Sequence, residues 1–280
     1  MKRRLQRAIE ALATEAGASA VAVAAHDLAD RRTLTLHADR WFHAASTIKL
    51  AVLVALYDAI DRGTLPEDAR VHVRNQFTSL ADGGYYRVDP RRDGNEEVHT
   101  YVGRTMRVRD LARHMIVTSS NLATNVLVEL LGPEAIRASL DRQGVEGLEF
   151  RRGVEDQGAW ESGINNRVTA AGLELLLRGV AEGSSVSEDA SGEMLEVLHD
   201  QRFVSGIPAG LPDGARVANK TGEISTVVHD AGVVYLPDRD PYVIVVLTEW
   251  PENGDTGQRR KLIAEISRMM LQDFVEGSDE

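Results

Sequence analysis

Trp41-Phe42-His43-Ala44-Ala45-Ser46-Thr47-Ile48-Lys49-Leu50-Ala51-Val52-Leu53 is the stretch on which the reading of this chain turns. From Ile48 to Ile60 the residues are apolar on nearly every helical face, the pattern of a helix buried in a core, and Ser46 stands where an N-cap would. One residue breaks the pattern: Lys49 sits inside the apolar run, where a charge is costly. The chain holds 28 Arg but only four Lys, at 2, 49, 220 and 261. Arg keeps its proton in a protein, whereas a desolvated Lys can lose it. A lysine kept at 49 therefore reads as an acid–base group. Ser46, three residues earlier on the same helical face, is the hydroxyl it would activate, since serine is a poor nucleophile until a base takes its proton.

Two further stretches complete a set. Ser119-Ser120-Asn121 lies between the helical patterns Val108–Val117 and Asn121–Leu131, where one serine caps the second helix and the other is left free for a cleft. Lys220-Thr221-Gly222 closes a strand beginning at Arg216 and carries the second inward lysine. The glycine lets another backbone approach the strand edge, and the N–H of Glu223 can pair with that of Ser46 as an oxyanion hole.

Around these motifs the periodicities give an amphipathic helix over 3–16 and a hairpin from Ala20–His26 and Thr33–Ala38. Further helices lie at Glu134–Gln143, Thr169–Ala181 and Ser187–His199. Strands lie at Ala231–Leu236 and Tyr242–Thr248, and a last helix at Gly257–Phe274. Residues 82–99, rich in Asp, Arg, Gly and Glu, read as an exposed loop or small excursion, and 276–280 as a frayed acidic tail. The expected fold class is α/β, with an antiparallel sheet from both chain ends, flanked by terminal helices. Residues 1–61 and 213–280 form that lobe, and 62–212 form an inserted helical one.

Composition narrows the partners. A net charge of −11 argues against nucleic acid, which needs a positive face. With no cysteine, disulfides, thiolate metal sites and cysteine nucleophiles are excluded. The eight histidines show no metal-ligand spacing, so no metal and no cofactor is expected. Met1-Lys2-Arg3-Arg4 has the charge of a signal-peptide start, but Gln6, Arg7 and Glu10 break up the apolar segment such a leader needs. No apolar run is long enough for a membrane span. The expectation is a soluble monomer, cytoplasmic or already stripped of a leader.

The three motifs in this order, with the stretches 40–50, 118–125 and 218–222, resemble those of the class A β-lactamase-like serine hydrolases, and the resemblance covers about residues 5–275. It implies a β-lactamase/transpeptidase-like fold and a small-molecule β-lactam or peptidoglycan-type peptide as substrate. It implies Ser46 as nucleophile, Lys49 as base or base partner, Ser119 and Lys220 as proton relay, and Asn121 and Thr221 as substrate contacts, to which the strand-end reading adds Gly222 and Glu223. Two departures stand out. Ser120 occupies a place where β-lactamases usually carry Asp, and the loop that should bear the deacylating acid is short. Glu155, Asp156 and Glu161 are the candidates for that acid. If none of them serves, the chain would be a D-alanyl peptidase or esterase with slow deacylation, or a penicillin-binding trap. Tyr85, Tyr86, Tyr101, Trp160 and Trp250 are candidates for the cleft mouth.

Overall fold

The computed structural model describes residues 3–252 and 256–276. Helix α1 (Arg3–Ala16) leads into the hairpin β1 (Ala20–Asp27) and β2 (Thr33–Leu36), then a short β3 (Phe42–His43) and α2 (Lys49–Asp61). Short strands β4 (Arg70–His72), β5 (Phe77–Thr78) and β6 (Tyr85–Tyr86) precede α3 (Glu96–Thr100), β7 (Thr105–Arg107), α4 (Val108–Val117), α5 (Asn121–Leu131) and α6 (Pro133–Arg142). After β8 (Leu148–Glu149), α7 (Gln157–Glu161) and β9 (Arg167–Val168) come α8 (Ala170–Ala181) and α9 (Glu188–His199). The chain closes with β10 (Arg216–Ile224), β11 (Val227–Tyr235), β12 (Tyr242–Glu249) and α10 (Thr256–Glu276).

The main sheet is antiparallel with strand order β10-β11-β12-β1-β2. Both chain ends build it, as the sequence pattern predicts. Successive side chains point to opposite faces of a strand, and here both faces are covered. Val21, Val23, Ala25, Ile244 and Val246 pack with Ile9 of α1 and with Ile263, Ile266, Met270 and Phe274 of α10. Ala22, Ala24, Ala231, Val233, Val243 and Val245 face the second core, which holds α2, α4, α5 and α8. Every residue of α2 from Lys49 through Asp58 is buried, so this helix threads the middle of that core.

Three expectations need correcting. Ser46 is not an N-cap: residues Ala45–Ile48 form a 3-10 turn capped at Ala44 with no side-chain bond, and the α-helix starts at Lys49. The 3-10 turn has three residues per turn, so i and i+3 side chains eclipse. Lys220-Thr221-Gly222 does not close its strand, because β10 continues to Ile224. Its partner β11 starts at Val227 rather than Ala231. His229 and Asp230 hide that start in the sequence, yet both are buried and fully bonded. His229 Nε2 meets the His43 carbonyl at 2.9 Å, and Asp230 accepts from Asn219 Nδ2 and Ile207 N–H, each at 2.8 Å. The expected frayed tail lies outside the described residues, apart from Glu276 at the end of α10.

Candidate active site

The three motifs meet at one place. Ser46 is carried by the 3-10 turn, Ser119 by the α4–α5 junction and Thr221 by the edge strand β10. Ser46, Ser119, Thr221, Gly222 and Glu223 line one cavity of about 190 Å3. Ser46, Ser119, Asn121, Glu155 and Glu223 line a larger neighbouring one of about 530 Å3.

Ser119 is the point of convergence. Its Oγ lies 3.1 Å from Lys49 Nζ and 3.1 Å from Lys220 Nζ. Lys49 Nζ also donates to the Ser119 carbonyl at 2.6 Å and to Asn121 Oδ1 at 2.7 Å, and Lys220 Nζ donates to the Thr221 carbonyl at 2.8 Å. Both ammonium sites are wholly buried. Burial pushes Lys49 down to about 7, against the pull of Asp93 and Glu155. Burial and then the neighbouring Lys49 hold Lys220 well below the lysine range, against Asp230. Burial likewise pushes Asp230 up to about 6. A hydroxyl oxygen has two acceptor sites and one donor. With both lysines donating to it, Ser119 keeps its own O–H for the cavity. No hydrogen bond joins Ser46 Oγ to Lys49 Nζ in this resting arrangement; the donors of Lys49 go to Ser119 and Asn121.

The backbone is bent where the site needs it. Positive φ outside glycine occurs at seven described positions, three of which border the cavities: Ala45 (45°), Ser119 (57°) and Glu155 (62°). Such conformations cost energy and persist when their surroundings fix them. Ala45 is held by its N–H bond to His43 Nδ1 at 3.0 Å, which leaves the imidazole proton on Nε2. Burial keeps His43 neutral, its pKa lowered to about 4. With Ala45 N–H taken by His43 and Thr47 N–H by the Ala44 carbonyl, Ser46 N–H has no acceptor among the described residues. Gly222 explains how β10 comes beside it. A Cβ there would stand 3.0 Å from Thr47 N and 3.1 Å from Ser46 N, so glycine lets the strand lie close against the turn and bring Glu223 near Ser46.

Of the three carboxylates, only Glu155 joins the constellation: its Oε1 accepts from Asn121 Nδ2 at 3.0 Å, and Arg92 stands 3.8 Å from its Oε2. Asp156 is a structural cap, accepting from Ser79 Oγ at 2.8 Å and from Leu80 and Ala159 N–H at 3.0 Å. Burial raises its pKa, but these bonds and Arg152 outweigh it and hold it low. Glu161 pairs with Gln157 on the exposed face of α7. Among the aromatics Trp160 borders the larger cavity, Trp250 is buried against Arg259, and Tyr85 and Tyr86 line an adjoining groove that shares Arg92, Glu155, Asp156 and Gln157 with that cavity. Tyr101 lines yet another. Sequence reasoning missed Phe203, which borders both cavities, and Asp93, which reaches the α5 N-terminus from the supposed exposed loop. Nothing in the local pattern marks either, since their positions come from tertiary folding alone. Among the described residues no group of three His, Asp or Glu could hold a metal ion, and no helix is long and apolar enough to cross a membrane.

The model of the Beta-lactamase enzyme family matches residues 4–274. The chain belongs to that family. A β-lactamase of Bacillus licheniformis is 28% identical over 253 residues, covering 88% of this chain and 76% of that protein. Among solved structures, PBP-A superposes with a TM-score of 0.82 at 25% identity, covering 98% of this chain and 97% of that one. A mutant of PBP-A has been solved as an acyl-enzyme complex with penicillin G. The β-lactamase of Sphaerobacter thermophilus gives a TM-score of 0.80 at 25% identity, covering 96% of this chain and 95% of that one.

Proposed function

We propose that this family member is a serine hydrolase that opens β-lactam amides through an acyl-Ser46 intermediate. The observation that carries the reading is Ser119 Oγ bridged at 3.1 Å by two buried lysines, in a cavity that Ser46 borders. With its pKa near 7, about half of Lys49 is neutral at neutral pH and offers a lone pair. Ser46 Oγ turns toward that amine, as catalytic hydrogen bonds tighten on substrate binding, and gives up its proton as it attacks the lactam carbonyl. Negative charge collects on the carbonyl oxygen, facing the N–H groups of Ser46 and Glu223. The C–N bond breaks as Ser119 O–H protonates the leaving nitrogen, and the proton held by Lys49 replaces the one Ser119 lost. Thr221 and the outer edge of β10 hold the substrate.

Deacylation falls to Glu155. A water between Glu155 and the ester gives its proton to the carboxylate and attacks the acyl carbon; the ester C–O bond then breaks as that proton passes on to Ser46 Oγ, restoring both groups. Intact-protein mass spectrometry after penicillin exposure tests the scheme. Rapid turnover with a transient adduct on Ser46 is expected. A lasting adduct would favour a D-alanyl peptidase or trap, a reading the likeness to PBP-A also supports. No adduct on Ser46 would refute both.

A further inference from the structure

Asp93 lies on the loop before α3, 26 residues before Ser119 in sequence, and its side chain is fully excluded from solvent. Its Oδ1 accepts from Asn121 N–H at 2.8 Å. Its Oδ2 accepts from Leu122 N–H at 3.0 Å and Ser120 Oγ at 3.2 Å, and His99 Nε2 lies 2.9 Å away. The next two residues dock the loop on the same junction. Gly94 passes so near the Thr118 carbonyl that a Cβ would stand 2.1 Å from it. Asn95 Nδ2 bonds Thr118 Oγ1 at 3.0 Å and His114 Nδ1 at 2.8 Å.

All three acceptors of Lys49 (the Ser119 carbonyl, Ser119 Oγ and Asn121 Oδ1) belong to this junction. We propose that Asp93 is a positioning residue for the reaction, supplying from a distant loop the carboxylate that the Ser119-Ser120-Asn121 motif lacks at Ser120. Resting on the function proposed above, it fixes the left-handed backbone of Ser119 and the side chain of Asn121 against Lys49. A carboxylate also suits the free N–H groups and positive dipole end of the 11-residue helix α5. Asp93 and Glu155 are the charges that raise the Lys49 pKa against burial; Lys220 is the other ionisable group beside it.

The decisive test relocates the charge. Three variants are compared with the wild-type chain: D93N, S120D and D93N/S120D. An Asp at 120 is an N-cap able to accept from Leu122 and Ala123 N–H. Single-turnover acylation by a chromogenic cephalosporin should fall by about 10- to 100-fold in D93N, the scale of a small misplacement of reacting groups. S120D alone should also be impaired, because two carboxylates then crowd one helix end. The double variant should recover to within a few-fold of wild type. The rising limb of the acylation–pH profile should move to lower pH in D93N, because a charge favouring protonated Lys49 is gone. If D93N does not fold, the comparison of S120D with the double variant decides: a double variant no better than S120D overturns the inference. Equal acylation of wild type and D93N overturns it while leaving the proposed function standing. A wild-type chain that is never acylated at Ser46 overturns that function and this inference with it.

Discussion

Replacing Glu155 with Gln isolates the second half of the proposed cycle. The amide keeps the shape of the carboxylate and an oxygen that can accept from Asn121 Nδ2, now at 3.0 Å, so the acylation machinery of Ser46, Lys49 and Ser119 stays in place. What disappears is the base for the deacylating water. General-base assistance is worth about 10²–10⁴-fold, or about 3–5 kcal/mol of barrier. Acylation then outruns deacylation: kcat should fall by that factor, KM should fall with it, and kcat/KM should stay within a few-fold of wild type. Stopped-flow hydrolysis of a chromogenic cephalosporin should show a burst of one equivalent, and mass spectrometry a stable adduct on Ser46. The neighbouring acids serve as controls. Asp156→Asn should act through stability, lowering Tm by the loss of a buried cap worth about 1–2 kcal/mol, and Glu161→Gln should change neither. Wild-type turnover by Glu155→Gln, with no burst, would refute the assignment.

The same geometry sets three further expectations. Lys49→Arg holds a permanent positive charge and should reduce acylation by about 10²–10⁴-fold, while wild-type acylation should rise through a midpoint near pH 7 as Lys49, lowered to about 7, loses its proton; a flat profile between pH 6 and 8 would contradict this. Gly222→Ala brings a Cβ to 3.0 Å from Thr47 N, and the forced shift should cost acylation about tenfold, read as kcat/KM against an unchanged Tm. Glu223 spends its carboxylate on Arg260, at 2.8 and 3.1 Å beside the smaller cavity. Glu223→Gln should free that guanidinium and lower KM for carboxylate-bearing β-lactams by up to about fivefold, the range of a half-exposed pair, with no change for their methyl esters.

Much of this arrangement is legible in the sequence because it rests on short-range rules. Ser120 caps α5 through its bond to Ala123 N–H at 3.2 Å, which frees Ser119 for the cleft, as the spacing predicts. The main-sheet strands with plain apolar runs are equally readable. The rest escapes because it depends on contacts between distant segments. His229 and Asp230 look too polar for a buried strand until the groups that satisfy them, at 43, 207, 219 and 248, are brought close. The choice between Glu155, Asp156 and Glu161 cannot be made from neighbours in the chain. It is made by which carboxylate faces Asn121, which faces Ser79, and which faces solvent. Residues 82–99 read by their polarity as an exposed loop, yet the same polarity lets Asp93 and Asn95 plug the end of a helix.

The left-handed turns at Ala45, Ser119 and Glu155 carry a consequence for anyone improving this protein. Each non-glycine residue held there costs on the order of 1–3 kcal/mol, and glycine would relieve it. Selection for heat tolerance alone would therefore favour replacements at the rim of the cleft first, and a glycine at 155 removes the proposed water-activating group. Libraries screened only for survival at high temperature should drift toward proteins that capture a β-lactam and never let it go.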